Sequence, residues 1–250
     1  MRALVTRLRP DGVREKVLVT DWADAGPPTT NQVRTRTVYS GVTNGTERND
    51  LLGGNYAHPD DALPAPWGYQ NVGEVVEVGP EAKALQVGDL VYASADHLEY
   101  SVFGDDGLYC RVPEETDPKH AALFGMSAVA MRTCRNADIR MGERVLVVGA
   151  GVIGQVAAQI AAVMGGRVAL CDIDADRLDT ARGIGAAEKV VDVSGDGWSA
   201  GIPKGSHDVV IDVAGVPGME DRLIDAAAHR GRLMLIAGRF EVKYTFNLGQ

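Results

Sequence analysis

The stretch that decides the fold of this chain is VLVVGAGVIG, residues 145–154. An unbroken apolar run leads into three glycines, which is the pattern of a buried β-strand that turns directly into a helix. Gly149 permits the tight turn, Gly151 lets the backbone approach a pyrophosphate, and Gly154 lets the helix pack close to the strand. The stretch therefore predicts a dinucleotide-binding turn, and the alternative is a glycine-rich turn without a ligand.

The residues around this turn strengthen the prediction. Val152 and Ile153 open the helix, whose free N–H groups would face the phosphates. Asp172 ends the next predicted strand, where a carboxylate accepts hydrogen bonds from the adenine ribose and repels a 2′-phosphate. NAD is therefore favoured over NADP, with Ile173 beside the ribose site. Arg177 lies one helical turn further on and is interpreted as a surface residue.

Strands and helices alternate through the second half of the chain, which predicts a doubly wound parallel sheet of the Rossmann type. Ligands bind at the carboxyl ends of such strands. Ala214 with Gly215, and Ala237 with Gly238, follow predicted strands and are therefore assigned to the cofactor site. Predicted strands cover residues 144–148, 167–172, 189–193, 208–213 and 232–237, and predicted helices cover 120–135, 152–164, 176–184 and 221–229.

The first half is β-rich. Short apolar alternations are separated by turn signals, which favours a small barrel or sandwich. The predicted strands are residues 16–20, 32–38, 72–78 and 90–93. We expect a β-rich catalytic or substrate domain over residues 1–118 and a Rossmann domain over residues 119–250.

Composition excludes several classes of function. The net charge of −9 argues against nucleic acid as a partner, and the three cysteines have no metal-binding or disulfide spacing. No apolar run reaches the length of a signal peptide or of a membrane helix. We therefore expect a cytoplasmic protein that acts on a small molecule, without a membrane or nucleic-acid partner.

The order of these parts resembles the medium-chain dehydrogenase/reductase superfamily, whose first domain is GroES-like. SGVTNGTE, residues 40–47, resembles the family's segment around its first zinc ligand, usually Gly-x-Cys-Gly-Ser/Thr-Asp. GYQNVGEVVEVG, residues 68–79, resembles its Gly-His-Glu segment and the strand that follows. VGDLV, residues 87–91, resembles its Gly-Asp-Arg-Val turn. The resemblance covers nearly all of the chain and implies an NAD-dependent alcohol dehydrogenase, paired as a dimer.

The departures from the family pattern concern its catalytic zinc. Asn44 stands where the family has the zinc-binding Cys, Tyr69 and Gln70 replace the His and Glu of Gly-His-Glu, and Gly125 stands at the later Glu or Cys ligand. Catalytic zinc needs about three protein ligands drawn from His, Cys and carboxylates. The sequence therefore predicts no metal.

Without zinc, hydrogen-bond donors must stabilise the substrate oxygen. The resemblance places a proton-relaying hydroxyl at Thr46, while Tyr69 and Asn44 occupy former ligand positions and carry donors. These three residues are the predicted catalytic set, with the alternative that Tyr69 and Asn44 are inert replacements. His97 could face the substrate cleft, whereas His58 is interpreted as a solvated loop histidine.

Three functions follow from this reading. The first is NAD(H)-dependent oxidation of an alcohol, and the Gly-Thr-Glu and Gly-Tyr segments resemble those of bacteriochlorophyllide hydroxyethyl dehydrogenases, which oxidise a secondary alcohol. The second is reduction of an activated double bond, as in zinc-free quinone reductases, and the third is an NAD-binding module without catalysis. Because family members continue beyond this length, we expect either a fragment or a naturally short protein, with residues 242–246 as its last strand.

Overall fold

The computed structural model describes residues 1–237 and contains two compact units, Met1–Gly125 and a second that begins at Met126. The predicted domain limits of 1–118 and 119–250 stay a prediction. Gly238 and the predicted strand at residues 242–246 lie outside the described residues.

The first unit is built from antiparallel strands, as its sequence pattern predicts. Three strands form one sheet in the order β2-β1-β4, and five form a second in the order β7-β3-β5-β6-β8. The strands are β1 Ala3–Leu8, β2 Arg14–Val19, β3 Gln32–Ser40, β4 Ala65–Pro66, β5 Asn71–Val78, β6 Leu90–Ala93, β7 Tyr100–Gly104 and β8 Tyr109–Arg111.

Alternation of side chains accounts for the core of the larger sheet. Val33 on β3, Val75 on β5 and Val91 on β6 are fully buried and pack together with Leu85. Burial of such side chains stabilises the fold by about 1.5–3 kcal/mol each. The sequence pattern did not predict two short elements, helix α1 at Thr46–Leu51 and a 3-10 turn at Asp60–Ala62.

The second unit has the predicted parallel sheet, in the order β11-β10-β9-β12-β13 over the described residues. The first strand in sequence is central, and the chain crosses over it to continue on the other side, as in a doubly wound fold. The strands are β9 Arg144–Val148, β10 Arg167–Asp172, β11 Lys189–Asp192, β12 His207–Asp212 and β13 Ala227–Leu235. Helix α2, Pro118–Ala121, belongs to the first unit, and α3, Phe124–Asn136, begins at the boundary. The other helices of the second unit are α4 Val152–Val163, α5 Ala175–Ile184, α6 Gly197–Gly201 and α7 Glu220–Ala226.

The central strand β9 is apolar throughout because both of its faces are covered. Val145 and Val147 pack with the alanines of α4, whereas Leu146 packs on the opposite face with Trp198 and Leu223. This arrangement places the glycine-rich turn, which follows β9 directly, at the carboxyl edge of the sheet.

The single helix predicted at residues 120–135 is wrong. The chain forms two helices there, because the N–H of Leu123 bonds the carbonyl of His120 in a tight turn that ends α2. Asp117 caps α2 and accepts the N–H of Lys119 at 2.8 Å. Asp followed by Pro is a helix-start signal that the alanine-rich pattern obscured.

The helix predicted at residues 221–229 is also wrong at its end. Helix α7 stops at Ala226, and β13 begins at the next residue. The pairing of β13 with β12 then passes from Ala227 to Arg232 with an irregularity, and Arg230 has a φ of 61°.

Across the described range, none of the helices combines the length and apolar character needed to span a bilayer.

Candidate cofactor and active sites

The glycine-rich turn between β9 and α4 has the geometry that a dinucleotide needs. Gly149 has a φ of 104°, which a residue with a side chain rarely adopts. A Cβ at Gly154 would overlap the carbonyl oxygen of Gly149, so only glycine allows α4 to approach the strand this closely. A Cβ at Gly151 would meet no atom within 4 Å, so this glycine leaves open space above the turn.

The N-terminus of α4 is available to an anion. Gly151 is the N-cap, and no side chain caps the helix. Val152 is 47% exposed and Ile153 is half-buried, so the backbone N–H groups of the first turn lie near the surface. A twelve-residue helix that begins here presents a partial positive charge to a phosphate.

Asp172 lies at the end of β10, next to the turn, and is buried. Its Oδ2 accepts the N–H of Ala150 at 2.6 Å, and its Oδ1 accepts the N–H groups of Ile173 at 2.7 Å and Asp174 at 3.0 Å. A carboxylate offers about four lone-pair sites. The side chain therefore fixes the turn and retains acceptor capacity for a ribose hydroxyl.

Arg177 is closer to this site than the sequence interpretation assumed. Its side chain is half exposed, but its Nη1 lies 3.6 Å from Oδ2 of Asp172 and its Nε lies 3.7 Å from Oδ2 of Asp174. Ile173, beside them, is 71% exposed and presents an apolar surface. Arg177 is thus a charged neighbour of the carboxylate that the sequence assigns to the ribose.

The next strand ends in a second acidic residue that sequence reasoning missed. Asp212 is buried, and its Oδ1 accepts the N–H groups of Ala214 at 3.0 Å and Gly215 at 3.2 Å. Burial raises the pKa of Asp212, and the two backbone donors offset part of that rise. A Cβ at Gly215 would lie 2.9 Å from the carbonyl oxygen of Ala237, so these predicted cofactor residues come together. Position at a strand end was the available signal for Asp212.

Within the first unit, two of the three predicted catalytic residues meet. Thr46 Oγ1 lies 3.4 Å from Tyr69 Oη, and both side chains are half-buried. The Tyr69 ring packs against Trp67 at 5.8 Å between centroids, which fixes its direction. Asn44 is exposed in the turn before α1, and among the described residues its side chain does not join this pair.

A buried polar network continues from these hydroxyls. Tyr69 Oη donates to Thr43 Oγ1 at 3.2 Å, and the N–H of Thr43 donates to Glu47 Oε1 at 2.8 Å. Glu47 Oε2 lies 2.9 Å from Nε2 of His97, whose Nδ1 bonds Ser40 Oγ. Sequence reasoning missed Thr43 and Glu47. Glu47 stands at the Asp of the Gly-Ser/Thr-Asp pattern, which was the signal for it.

The residues at the family's zinc positions do not fit a zinc ion. Gln70 is fully buried and offers an amide, and Tyr69 offers a phenol. A Cβ at Gly125 would overlap Tyr92 Oη and lie 3.0 Å from Gln70 Oε1, so a longer ligand has no space there. In residues 1–237, no group of three or more His, Cys, Asp or Glu side chains is placed to hold a metal ion.

The site at Gly125 is closed by a buried phenol. Tyr92 Oη donates to the carbonyl oxygen of Tyr69 at 3.0 Å. Burial, together with Tyr69 and Cys110, raises the pKa of Tyr92 to about 12, partly offset by the N–H of Gly125. Tyr92 is therefore a neutral hydrogen-bond donor that occupies the space of a metal ligand.

Comparison with known proteins agrees with this architecture. Residues 152–250 match the family model described as zinc-binding dehydrogenase. The chain is 29% identical over 216 residues to L-threonine 3-dehydrogenase of Shewanella loihica, an alignment that covers 70% of this chain and 62% of that protein. The chain thus spans less than two thirds of the length of the curated relatives it matches.

Solved structures share the fold. A protein of Sinorhizobium meliloti described as a candidate zinc-binding dehydrogenase, bound to NADP, superposes with a TM-score of 0.81 at 22% identity, covering 98% of this chain and 80% of that one. An alcohol dehydrogenase of Escherichia coli complexed with NADH gives 0.76 at 19% identity, covering 94% and 75%. They confirm the predicted combination of a GroES-like unit and a Rossmann unit. The chain is therefore similar to zinc-binding dehydrogenases over residues 152–250 and to L-threonine 3-dehydrogenase over 70% of its length.

Proposed function

We propose that the chain is a zinc-independent, NAD(H)-dependent oxidoreductase that interconverts a secondary alcohol and a ketone. The observation that carries this proposal is the pair of hydroxyls on Thr46 and Tyr69, 3.4 Å apart, at positions that the resemblance assigns to a relay hydroxyl and a metal ligand. The relatives support a secondary alcohol, because the 3-hydroxyl of L-threonine is one.

The second unit supports a nicotinamide cofactor. The glycine turn, the uncapped start of α4 and Asp172 offer what a pyrophosphate and a ribose require. A bound dinucleotide would supply the hydride acceptor. Similar folds hold NADP or NADH, so the preference must come from local residues, and the Asp172 carboxylate favours NAD.

Thr46 and Tyr69 would act on the substrate oxygen. During oxidation, a hydride leaves the carbinol carbon, and the alcohol proton passes to one of these hydroxyls as that hydroxyl releases its own proton to a hydrogen-bonded neighbour, such as Thr43 Oγ1 for Tyr69. During reduction, the same hydroxyls donate hydrogen bonds to the carbonyl oxygen as negative charge develops. One such donor typically contributes about 3–4 kcal/mol to the transition state, which is the part that zinc otherwise supplies as a Lewis acid.

Zinc independence rests on the donor set. An exposed amide at Asn44, a phenol at Tyr69 and a glycine at Gly125 that Tyr92 closes off do not make the three His, Cys or carboxylate ligands of a catalytic zinc. We propose that these replacements exchange metal polarisation for hydrogen bonding.

The test combines metal analysis with turnover. The chelator-treated protein is assayed for NADH formation from L-threonine and a panel of short secondary alcohols, with Thr46→Val and Tyr69→Phe as variants. Tyr39→Phe is the matched control, because Tyr39 is an exposed tyrosine on β3 of the same unit. We expect kcat to fall about 100-fold in each site variant, as for loss of an oxyanion donor, and to stay unchanged in the control.

Each other outcome has a distinct meaning. Turnover that requires added zinc would contradict zinc independence. NADPH-dependent reduction of a quinone, without alcohol oxidation, would favour the quinone-reductase alternative. NADH binding without turnover of any tested substrate would indicate a non-catalytic dinucleotide-binding module.

A further inference from the structure

The buried pair of His97 and Glu47 lies directly behind the proposed catalytic hydroxyls. Each side chain is only 4% exposed, and the two residues come from distant parts of the chain. Both ring nitrogens of His97 are engaged, Nε2 with Glu47 at 2.9 Å and Nδ1 with Ser40. Burying an ionisable pair costs desolvation that its own attraction barely offsets, so stability alone is a weak reason for it.

The pair connects to the hydroxyls without a gap. From Tyr69 Oη it is 3.2 Å to Thr43 Oγ1, and from Thr43 Oγ1 it is 3.4 Å to Glu47 Oε1. Thr43 can accept a proton from Tyr69 and donate its own to Glu47, since a hydroxyl has one donor and two acceptor sites. The path leads from the half-buried Tyr69 to the buried Thr43 and Glu47.

The charges around the pair keep Glu47 in its ionised form, whose Oε1 accepts the hydrogen bond from the Thr43 hydroxyl. Burial alone would raise the pKa of Glu47, but hydrogen bonds from His97 and Thr43 and the charges of His97 and Lys16 hold it below its ordinary value. Lys16 is in turn paired with the buried Asp50 at 3.1 Å.

A second carboxyl faces the same histidine. Burial raises the pKa of Asp96, with His97, His58 and Lys16 opposing the rise. Lys16 and Asp96 thus face the pair itself, whereas Asp50 lies against Lys16 and His58 acts on Asp96.

We propose, building on the function proposed above, that Tyr69, Thr43 and the Glu47–His97 pair form a proton relay. As the hydride leaves the carbinol carbon, the alcohol proton passes to Tyr69 Oη, the Tyr69 proton to Thr43 Oγ1, and the Thr43 proton to Glu47 Oε1. The pair gains one proton, the substrate becomes a ketone, and the proton returns to water by the reverse path after the ketone has left. Thr43, Glu47 and His97 are positioning and relay residues, because they do not touch the substrate.

Thr43 offers the sharpest test. Thr43→Val keeps the shape and the backbone N–H that binds Glu47 but removes the hydroxyl, whereas Thr43→Ser restores it. We expect Thr43→Val to lower kcat for alcohol oxidation about 100-fold, with KM and NADH affinity unchanged. We also expect Thr43→Val to remove any inflection of kcat with pH that depends on Glu47, and Thr43→Ser to recover both kcat and its pH profile.

A second measurement does not depend on turnover. In protein with ¹³C-labelled tyrosine, the Tyr69 ring carbon should report the titration of the pair in the wild type, and this response should vanish in Thr43→Val and in His97→Gln. The relay would be overturned by an unchanged kcat–pH profile in Thr43→Val, or by a Tyr69 ¹³C chemical shift that does not change when the pair titrates. Either result would leave the proposed function intact. Absence of alcohol oxidation by the wild type would overturn the proposed function, and the relay with it.

Discussion

Asp172 accepts the backbone N–H of Ala150 at 2.6 Å, and this bond joins the end of β10 to the glycine-rich turn after β9. The same carboxylate holds the N–H groups of Ile173 and Asp174. One side chain therefore shapes both loops that a dinucleotide would contact, so its structural and binding roles are coupled.

This relationship makes Asp172→Asn informative. The amide carries one oxygen fewer and no charge, and a hydrogen bond to a charged group contributes about 1.5–3 kcal/mol. We expect NADH affinity to fall about 10- to 100-fold, while NADPH affinity falls less, because the repulsive charge is removed and Arg177 loses one of its two carboxylate partners. Fluorescence titration with both dinucleotides measures the two affinities.

Asp174→Asn is the matched control for the loss of charge. Asp174 contacts Arg177 and caps α5 by accepting the N–H of Arg177 at 3.2 Å, and asparagine caps a helix equally well. We expect its NADH affinity to stay near that of the wild type. An equal loss in both variants would assign the effect to general electrostatics rather than to the turn.

The glycines of the turn separate folding from binding. Gly151→Ala adds a Cβ into open space at an ordinary backbone angle, φ −70°, so we expect thermal stability to remain unchanged. The same Cβ would occupy the space where a pyrophosphate approaches the backbone, and we expect NADH affinity to fall at least about tenfold. Thermal melting and NADH titration of one preparation give both quantities.

Two further glycine variants bracket this result. Gly154→Ala should destabilise the unit by about 1–3 kcal/mol, since the added Cβ overlaps a backbone oxygen that cannot move freely. Gly183 lies in α5 with open space around it, so Gly183→Ala should stabilise the protein by about 0.5–1 kcal/mol without changing NADH affinity. Wild-type NADH affinity in Gly151→Ala would show that no dinucleotide lies over this turn.

The Rossmann unit was predictable because its signals are local. The strands at residues 144–148 and 167–172 have the predicted bounds, since a continuous apolar run between turn residues is unambiguous when both faces are buried. Asp174 also caps α5 as predicted. The helix ends at Ala121 and Ala226 were missed, because alanine follows each end and no Gly or Pro marks the stop.

The polar network was less predictable because its members are far apart in sequence. Thr46 and Tyr69 were chosen from the resemblance, and the structure brings their hydroxyls together. His97 lies 50 residues from Glu47, and no spacing rule connects a histidine in a loop with a glutamate in helix α1. Such partners become visible only when the fold brings the two segments together.

The pair of Arg144 and Asp208 gives the second unit a defined response to acid. Arg144 donates to Asp208 from its backbone at 2.9 Å, from Nε at 3.1 Å and from Nη2 at 2.9 Å, which ties the start of β9 to the start of β12. These hydrogen bonds lower the pKa of Asp208 from 3.8 to about 2, and those from the Arg144 side chain contribute most. A carboxyl whose pKa is lower in the folded state than in the unfolded state stabilises the protein at pH values above its unfolded pKa. This contribution is lost as the pH falls toward the pKa of the folded state.

We therefore expect Asp208→Asn to reduce the free energy of unfolding at neutral pH and to have a shrinking effect between pH 3.8 and about 2. The shift alone corresponds to about 2.5 kcal/mol, but the side chains of Asp208 and Arg144 are 33% and 46% exposed. Solvent screening reduces the expected effect to about 1 kcal/mol. Denaturant unfolding of wild type and variant at neutral and acidic pH measures the difference directly.

Asp179→Asn, which breaks the exposed pair with Arg182, is the control and should change the free energy of unfolding by no more than about 0.5 kcal/mol. A difference between wild type and Asp208→Asn that stays constant with pH would show that the variant acts through packing rather than through its charge.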